Sequence, residues 1–442
     1  MRRVLLVAYY FPPLGGGGAG RPLKLARYLP ASGWAVDVLT VRGGIWSAVD
    51  ESPLAELPPA VTVHRAPIII PGRLWGSFRR QGTGGAAVTQ DRSAGEGGGV
   101  LEGMKELLRK GLYIPDEFIG WYPFAVRLGA RLVRERAIEA VVSTSPPHTA
   151  HLVGRAIAAK TGVPFVADFR DAWTRNPSFR RGEGRRGRIE RRLEAGIAGA
   201  ARRIVTVSQG IRNGLLQDHP LLRPEDVRVI QNGFDPEDFV KGSLPSDLAP
   251  IPGKLRIVYT GGWLDGRTPE TFLAALRAYA GKSRRQGLPE IEAVFAGTEQ
   301  AAVARCAARA GVSALVRTVG YLPLRTACAL QRSADALLLT LSDRKHGEGI
   351  LTGKIFQYLG AGRPVLAVVP EGEAADLVRK TGAGCVVAPG DTEDVCRALT
   401  SLAGSKRAGR PLRGADAQAA APYTRQAASR RFASLLDEVC RG

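Results

Sequence analysis

The chain has 442 residues, and 45% of them are hydrophobic. This length predicts two domains of about 200 residues each, and the apolar content excludes a disordered or fibrous protein. Sixty-two Lys and Arg residues against 41 Asp and Glu residues give a net charge of +21. Such an excess favours an anionic partner: nucleic acid, an acidic membrane surface or phosphorylated substrates.

Cysteines and apolar runs narrow the cellular setting. The five cysteines lie in the last third of the chain without a CxxC pair, which argues against a disulfide framework or a zinc site. No stretch approaches the roughly 18–20 apolar residues of a membrane span, and Val4–Tyr10 leads into Pro and Gly without a cleavage site. We expect a cytoplasmic protein without a bound metal, soluble or held on the inner face of the membrane.

The first half alternates strands and helices. An apolar run at Val4–Tyr10 precedes the glycine run Gly15–Gly18, a helical segment at Arg21–Leu29 and a second apolar run at Trp34–Val41. This order is the opening of a doubly wound α/β domain. Further strands are predicted at Ala140–Ser143, Pro164–Asp168, Ile204–Ser208 and Val227–Ile230. Residues 81–99 are rich in Gly, Ser and Ala, and we interpret them as a flexible insertion.

The second half starts the pattern again. Residues 241–253 have the composition of a linker, and Leu255–Gly262 is a strand that ends in a glycine turn. Thr268 suits a helix N-cap and Pro269 the first helical position. Later strands are predicted at Glu292–Ala296, Ala336–Thr340, Pro364–Val369 and Gly384–Val387, and a last helix at Thr424–Val439. The predicted division is 1–240, a linker at 241–253, 254–415, and a C-terminal helix in 416–442 that packs back toward the first domain.

Six short segments occur in a characteristic order: YYFPPLGGGGAGR (9–21), STSPPHTAHLVG (143–154), VADFRDAW (166–173), VTVSQGI (205–211), VIQNGFD (229–235) and GKIFQYLGAGRPVLAV (353–368). Together they resemble the large bacterial family of retaining glycosyltransferases that includes sucrose synthases and lipopolysaccharide and mannosyl transferases, the family 4-like enzymes. The likeness runs from residue 1 to about residue 400.

The resemblance implies the GT-B architecture, in which two Rossmann-like domains face each other across a cleft. The second domain would hold a nucleotide-diphosphate sugar, and the first a glycan or lipid-linked acceptor. It implies a nucleotide-sugar co-substrate with no further cofactor, metal-independent transfer, and a place in bacterial cell-surface polysaccharide biosynthesis. No nucleic acid partner is expected.

Departure of a diphosphate from the anomeric carbon needs fixed cations and N–H dipoles at the leaving group. Arg267 and Lys354 each place a cation at a predicted helix start, where backbone N–H groups favour anions. Related enzymes pair such an Arg with a Lys five positions later, where this chain has Phe272. Gly349 and Gln357 stand where the resemblance leads us to expect acidic residues. The remaining candidates for donor binding are Gly261, Gly262, Glu348, Gly349, Ile350 and Gln357.

In the first domain, glycines would let the backbone approach a ligand closely, and the helix start that follows would place Arg21 near a donor phosphate. The glycine candidates are Gly16, Gly17 and Gly18. His148 and His151 flank a helix start, and related enzymes commonly place a histidine facing the donor sugar. Asp168 and Asp171, at the end of a strand, would orient the acceptor hydroxyl or accept its proton, or join Arg170 in a purely structural ion-pair network.

Nine arginines lie between Arg170 and Arg192 with few acids among them. They form either a solvated helix face or a surface for anionic lipid headgroups or a lipid-diphosphate acceptor. The candidates for this surface are Arg170, Arg180, Arg181, Arg185 and Arg186.

Three other functions stay open at this point. A nucleotide-sugar epimerase shares the architecture, but no acid/base set for two faces of one sugar carbon is evident. A nucleic-acid-binding protein is compatible with the charge, although the basic residues are not interleaved with aromatics. A catalytically inactive, sugar-nucleotide-binding scaffold is compatible with Gln357.

Overall fold

A computed structural model describes residues 1–14, 18–43, 51–69, 113–176, 184–240, 242–263, 268–341 and 351–441. The chain divides into two compact units, Met1–Ile230 with Ser429–Gly442, and Gln231–Ala428. The predicted insertion at 81–99 lies outside the described residues. The predicted linker at 241–253 stays a prediction; within it, Leu248 is buried and its carbonyl accepts a hydrogen bond from Arg256.

The first unit contains a seven-stranded sheet in which every described pairing is parallel. Its strands are β1 (Arg2–Val7), β2 (Trp34–Arg42), β3 (Val61–Pro67), β4 (Ala140–Ser145), β5 (Phe165–Phe169), β6 (Arg203–Thr206) and β7 (Val227–Val229). They lie in the order β3-β2-β1-β4-β5-β6-β7. The central strands are apolar on both sides because helices cover both faces of a doubly wound sheet. The order reverses between β1 and β4, which is where such sheets bind ligands.

Helices connect these strands. They are α1 (Gly20–Tyr28), α2 (Tyr122–Glu135), α3 (Thr149–Thr161), α4 (Arg185–Ala200) and α5 (Gln209–Asp218). The core between helices and sheet includes Leu5, Val141, Ile157 and Trp173, all at most 1% exposed. This buried apolar layer gives the first unit a hydrophobic core of its own.

The second unit contains a six-stranded sheet, again with only parallel described pairings. Its strands are β8 (Leu255–Thr260), β9 (Ile291–Ala296), β10 (Val316–Val319), β11 (Ala336–Thr340), β12 (Val365–Val368) and β13 (Gly384–Val387). The order β10-β9-β8-β11-β12-β13 reverses between β8 and β11. The fold is therefore α/β with two Rossmann-like parallel sheets, as the sequence predicts.

The helices of the second unit begin with α6 (Pro236–Val240). The last helix of the chain, α14 (Arg425–Arg441), starts in the second unit, and its residues from Ser429 onward belong to the first unit. In chain order the helices are α6, α7 (Glu270–Gln286), α8 (Gln300–Arg309), α9 (Leu324–Arg332), α10 (Gly353–Ala361), α11 (Glu373–Lys380), α12 (Thr392–Arg407), α13 (Ala417–Ala420) and α14. Short 3-10 turns lie at Leu29–Ser32, Ser52–Glu56, Ile119–Trp121, Pro224–Asp226, Ser246–Leu248, Ser313–Leu315 and Ala421–Tyr423.

The C-terminal residues pack within the first unit. Asp437 accepts hydrogen bonds from Arg2 and from the indole N–H of Trp34, both at 3.1 Å. Glu438 accepts from Arg203 at 2.7 Å. The end of α14 is therefore tied to residues at the start of β1, β2 and β6.

Sequence reasoning misplaced one helix start. Helix α7 begins at Glu270 with Pro269 as its N-cap, and no side chain caps it, so the predicted N-cap at Thr268 is wrong by one residue. Pro269 lacks an N–H and is compatible with either position. None of the helices in the described parts of the chain is long and apolar enough to span a membrane.

Candidate functional site

The cation Lys354 lies at the point where the second sheet reverses its strand order. It belongs to the first turn of α10, and its Nζ donates hydrogen bonds to the Tyr259 hydroxyl and, at 3.2 Å, to the carbonyl of Gly262. The same Nζ lies 4.1 Å from the centroid of the Tyr259 ring, a cation–π distance. A cation and the N–H groups of a helix start therefore lie together at the carboxyl end of β8, an arrangement suited to a diphosphate.

Gly261 makes this contact sterically feasible. Its φ of 113° lies in the region that favours glycine, and a Cβ atom there would lie 2.4 Å from the Cε of Lys354. Gly262 follows, and its carbonyl also accepts a hydrogen bond from the Tyr259 hydroxyl at 3.0 Å. The structure thus brings together three of the predicted donor-binding residues: Lys354, Gly261 and Gly262.

An aromatic stack and a carboxylate support the glycine turn. Tyr259 and Trp263 stack with centroids 4.1 Å apart and an angle of 10° between the rings. Glu299, at the N-cap of α8, accepts a hydrogen bond from the backbone N–H of Trp263 at 3.2 Å. Sequence reasoning missed these three residues because they gain their roles from contacts across separate strands.

The end of β8 is held by buried hydrogen bonds. The Tyr358 hydroxyl accepts from the backbone N–H of Thr260 at 3.1 Å, and Gln331 donates to the Thr260 side chain at 2.8 Å. Burial raises the pKa of Tyr358 to about 12, so its hydroxyl is neutral at pH 7. At the end of the neighbouring β11, Thr340 Oγ1 is buried and has no hydrogen-bond partner among the described residues.

Of the other predicted donor-binding residues, the structure describes Gln357 alone. Gln357 is half-buried, one turn along α10 from Lys354. The rest lie outside the described residues: Arg267, Glu348, Gly349 and Ile350.

In the first unit, Arg21 and Asp168 form a buried bidentate pair. The Arg21 guanidinium donates to the two carboxylate oxygens at 2.9 and 2.8 Å, and the side chains are 3% and 0% exposed. Thr144 donates a third hydrogen bond to Asp168 at 2.7 Å. The geometry therefore joins two candidates that the sequence assigned to different ligands.

Arg170 is directed into the protein. It donates to the carbonyls of Ser145 at 2.6 Å and Pro146 at 2.9 Å, and also to the carbonyl of Gly18. Burial lowers the pKa of its guanidinium, while Asp168 and Asp171 act in the opposite direction. Arg170 therefore ties the end of the glycine run to the turn that precedes His148, and its side chain is not part of an outward basic surface.

The two histidines have different surroundings. His148 is the N-cap residue of α3, 5% exposed, and its ring stacks on Trp173 with centroids 4.5 Å apart. His151 is fully buried; its Nδ1 lies 2.7 Å from Ser143 Oγ, and its ring lies 4.3 Å from that of Phe169. Burial lowers the pKa of His151 to about 3, so its ring is neutral at pH 7.

Asp116, which sequence reasoning missed, anchors the start of α3. Its carboxylate accepts from the Thr149 backbone N–H at 3.0 Å, the Thr149 hydroxyl at 2.6 Å and the Phe118 N–H at 3.1 Å. Burial raises the pKa of this carboxyl, although these hydrogen bonds act in the opposite direction. Asp116 thus caps α3 from a distant segment and holds the backbone beside His148.

The remaining first-unit candidates are scattered. Asp171 and Arg185 are exposed, whereas Arg186 is half-buried and donates to Glu190 at 2.9 Å and to the Tyr113 carbonyl. Gly18 packs against Tyr10: a Cβ added at Gly18 would lie 3.1 Å from the tyrosine ring. The other candidates lie outside the described residues: Gly16, Gly17, Arg180 and Arg181.

The five cysteines are free thiols in this structure. Within the described ranges, no group of three or more His, Cys, Asp or Glu residues is arranged to hold a metal ion.

Comparison with solved structures supports the fold. The chain resembles sucrose-phosphate synthase from Thermosynechococcus elongatus (TM-score 0.56, 14% identity, covering 100% of this chain and 97% of that one). It also resembles Anabaena HepE in complex with UDP and glucose (0.54, 15%, 100% and 97%) and WaaG, a glycosyltransferase involved in lipopolysaccharide biosynthesis (0.55, 13%, 99% and 98%). Comparison with curated protein sequences gives no match.

Two family models match the sequence itself. The model described as Glycosyltransferase Family 4 matches residues 95–238, and the model described as Glycosyl transferases group 1 matches residues 254–405. The two matches fall on the two Rossmann-like halves in turn and together cover most of the chain. The chain therefore belongs to the family 4-like glycosyltransferases with the GT-B fold.

Proposed function

We propose that this glycosyltransferase moves a sugar from a nucleotide-diphosphate donor to a glycan or lipid-linked acceptor in bacterial cell-surface polysaccharide biosynthesis. We further propose that transfer retains the anomeric configuration and needs neither a metal ion nor a cofactor, and that the enzyme works at the inner face of the membrane. The observation that carries the proposal is the position of Lys354 at the helix start beside Gly261 and Gly262. HepE, bound to UDP and glucose, and WaaG, involved in lipopolysaccharide biosynthesis, support the donor class and the pathway.

The chemistry follows from where charge develops. In the transition state the departing diphosphate gains negative charge, and groups already aimed at it lower the barrier most. Lys354 supplies a point charge, and the first N–H groups of α10 supply dipoles in the same direction. Together the charge and the dipoles stabilise the departing diphosphate, so that the reaction needs no metal ion. The leaving phosphate assists in removing the acceptor proton, as same-face attack requires.

On the acceptor side, we assign Asp171 the role of orienting the acceptor hydroxyl. Asp168 uses both carboxylate oxygens in contacts with Arg21 and Thr144, whereas Asp171 is exposed at the end of β5. His148, stacked on Trp173, is placed by Asp116 and α3, and we assign it the donor-sugar contact. His151 supports this turn from the core.

Thermal unfolding in the presence of UDP, GDP, ADP and their sugars tests the proposal. A ligand that binds only the folded state adds roughly 2.7 kcal/mol at a hundred times its dissociation constant. We expect one nucleotide class to stabilise the protein. We also expect Lys354→Met, which keeps an unbranched chain against Tyr259 but removes the charge, to weaken binding by about tenfold or more. Lys282→Ala, at an exposed lysine of α7, is the matched control.

Each outcome is informative. A shift that is lost in Lys354→Met and kept in Lys282→Ala supports the phosphate site at α10. No shift with any nucleotide contradicts the proposed donor site. Binding without turnover points to the inactive scaffold. Turnover that survives a chelator, and an NMR spectrum showing product with the anomeric configuration of the donor, test the metal-independent and retaining parts.

A further inference from the structure

Three neighbouring helices of the first unit form a continuous outer layer. Helices α2, α3 and α4 make the connections β3-β4, β4-β5 and β5-β6, and right-handed crossovers in this strand order place them on one face of the sheet. They are closely packed: a Cβ at Gly129 of α2 would lie 2.3 Å from Ile157 of α3. A Cβ at Gly196 of α4 would lie 2.7 Å from the guanidinium of Arg155 on α3.

The outward side of this layer is strongly basic. Its exposed cations, which we call the basic helical face, are Arg127, Arg131, Arg134, Arg155, Lys160, Arg185, Arg188, Arg191 and Arg192. Among the described residues of the three helices, the exposed acids consist of Glu135 alone, which lies 3.7 Å from Arg131. The face therefore concentrates part of the chain's excess charge in one place.

Helix α4 shows how the separation of charge arises. Its two acids, Glu190 and Glu194, are 1% and 2% exposed. Glu190 accepts from Arg186, and Glu194 accepts from the backbone and hydroxyl of Thr174 at 2.9 and 3.0 Å. Because the acids are used inside the unit, four arginines of the helix remain on the outside without a neutralising carboxylate on their own helix.

We propose that the basic helical face docks on a bilayer surface that contains anionic phospholipids. Arg and Lys near such a surface each contribute about 1 kcal/mol of attraction. An exposed apolar side chain lies in the segment after α5, which contacts α4: Leu221 is 97% exposed, two residues after His219, whose Nε2 lies 3.1 Å from Glu194 of α4. A leucine beside a basic face suits the boundary between headgroups and acyl chains.

Nucleic acid is the competing anionic partner. Surfaces for single strands combine cations with aromatic side chains on which bases stack. Among the described residues of α2, α3 and α4, no aromatic side chain is exposed. This absence, together with Leu221, favours the membrane over a single-stranded nucleic acid. Duplex DNA is the competitor that the experiment below distinguishes.

The structure revises which arginines take part. Arg170 and Arg186, candidates from the sequence, donate to groups within the first unit, whereas Arg185 is on the face. Arg188, Arg191 and Arg192 of α4 join the face from the same arginine-rich segment, and the other new members belong to α2 and α3, outside that segment. The inference rests on the proposed function, which places the enzyme at the membrane. It deepens that proposal by naming the basic helical face as the surface that binds the membrane.

Sedimentation of the full chain with vesicles tests the inference. The vesicles are phosphatidylcholine alone, or phosphatidylcholine mixed with phosphatidylglycerol. We expect binding to the mixed vesicles only, and a weakening of roughly 100-fold when Arg127, Arg134 and Arg188 are all changed to Gln. The matched control changes Arg277, Lys282 and Arg284 of α7, which are also exposed, to Gln. Both variants carry the same net charge.

Equal losses in the two triple variants would overturn the inference, since net charge alone would then explain binding. Equal binding to the two kinds of vesicle would also overturn it, as would retention on duplex DNA without vesicle binding. Leu221→Ser should weaken vesicle binding and leave DNA retention unchanged; the reverse contradicts the membrane assignment. The thermal midpoint and nucleotide shift of each variant separate the two proposals, because the vesicle assay contains no donor.

Discussion

Lys354 lies against Gly261 so closely that no side chain fits between them. A Cβ at position 261 would lie 2.4 Å from Cε and 2.9 Å from Nζ of the lysine. The φ of 113° at Gly261 is a second reason for glycine. This position therefore links the conformation of the glycine turn to the position of the cation proposed to bind phosphate.

Gly261→Ala should weaken nucleotide binding as well as stability. The alanine must adopt a conformation that costs about 1–3 kcal/mol, and it must displace Lys354. Gly253→Ala is the matched control, because Gly253 has a φ of 79° and a Cβ added there would have no other atom within 4 Å. Titration with the stabilising nucleotide measures both variants. Equal dissociation constants in the two would contradict the coupling between the turn and Lys354.

The buried pair of Arg21 and Asp168 should be strongly coupled. Removing one partner leaves an uncompensated buried charge, which typically costs about 3–5 kcal/mol. Arg21→Met and Asp168→Asn should each lower the unfolding midpoint, and the double variant should lose less than the sum of the two. Urea denaturation followed by tryptophan fluorescence measures the cycle. Arg223→Met, at an exposed pair with Asp226, should leave the midpoint unchanged. Additive losses would show that the pair is not coupled.

His151 should make the protein less stable in acid. Its pKa is about 3 in the folded state because of burial, against 6.5 for an ordinary histidine. Between these values the unfolded chain binds a proton that the folded chain excludes, so stability is lost as pH falls below 6.5, by up to about 1.4 kcal/mol per pH unit. His151→Gln lacks this titration and should show a shallower slope in urea denaturation from pH 7 to pH 4. Identical slopes would contradict the burial of a neutral ring.

The central strands were predictable from sequence, and two edge strands were not. Val4–Val7 of β1, Ala140–Val142 of β4 and Ala336–Leu339 of β11 are entirely apolar because helices cover both faces of the sheet. In β2 only Asp37 and Thr40 interrupt the apolar run from Trp34 to Val41. Strand β3 lies at an edge and includes His64, whose ring contacts the buried Asp37 at 2.8 Å. Strand β10, at the edge of the second sheet, is half-buried throughout. Neither has the continuous apolar run that identifies a central strand.

The candidate site divides in the same way. Lys354 and the Gly261–Gly262 turn were predictable because a helix start and a strand end are local features. The partners of Arg21 and Asp116 were not predictable, because they are distant in the sequence. Arg21 is 147 positions from Asp168, and Asp116 is 33 positions from Thr149, at the start of the helix that it caps. The inward direction of Arg170 was not predictable either, because the residue lies in an arginine-rich segment yet donates to buried backbone carbonyls.

Arg170→Lys should separate positioning from membrane binding. A guanidinium presents five donors in a planar fork, whereas one ammonium cannot reach three separate carbonyls in the same geometry. We expect a lower thermal midpoint and a lower kcat, because the turn before His148 loses its tie to Gly18. The nucleotide shift, which depends on Lys354 in the second unit, should persist.

Vesicle binding by the same variant gives the decisive comparison. Since the charge is kept and the side chain does not belong to the basic helical face, Arg170→Lys should bind anionic vesicles as the wild type does. Arg188→Lys, on that face, is the control for an Arg-to-Lys change at an exposed site and should keep both kcat and vesicle binding. A variant at position 170 that keeps full kcat but loses vesicle binding would place Arg170 on the membrane surface, for which the sequence made it a candidate.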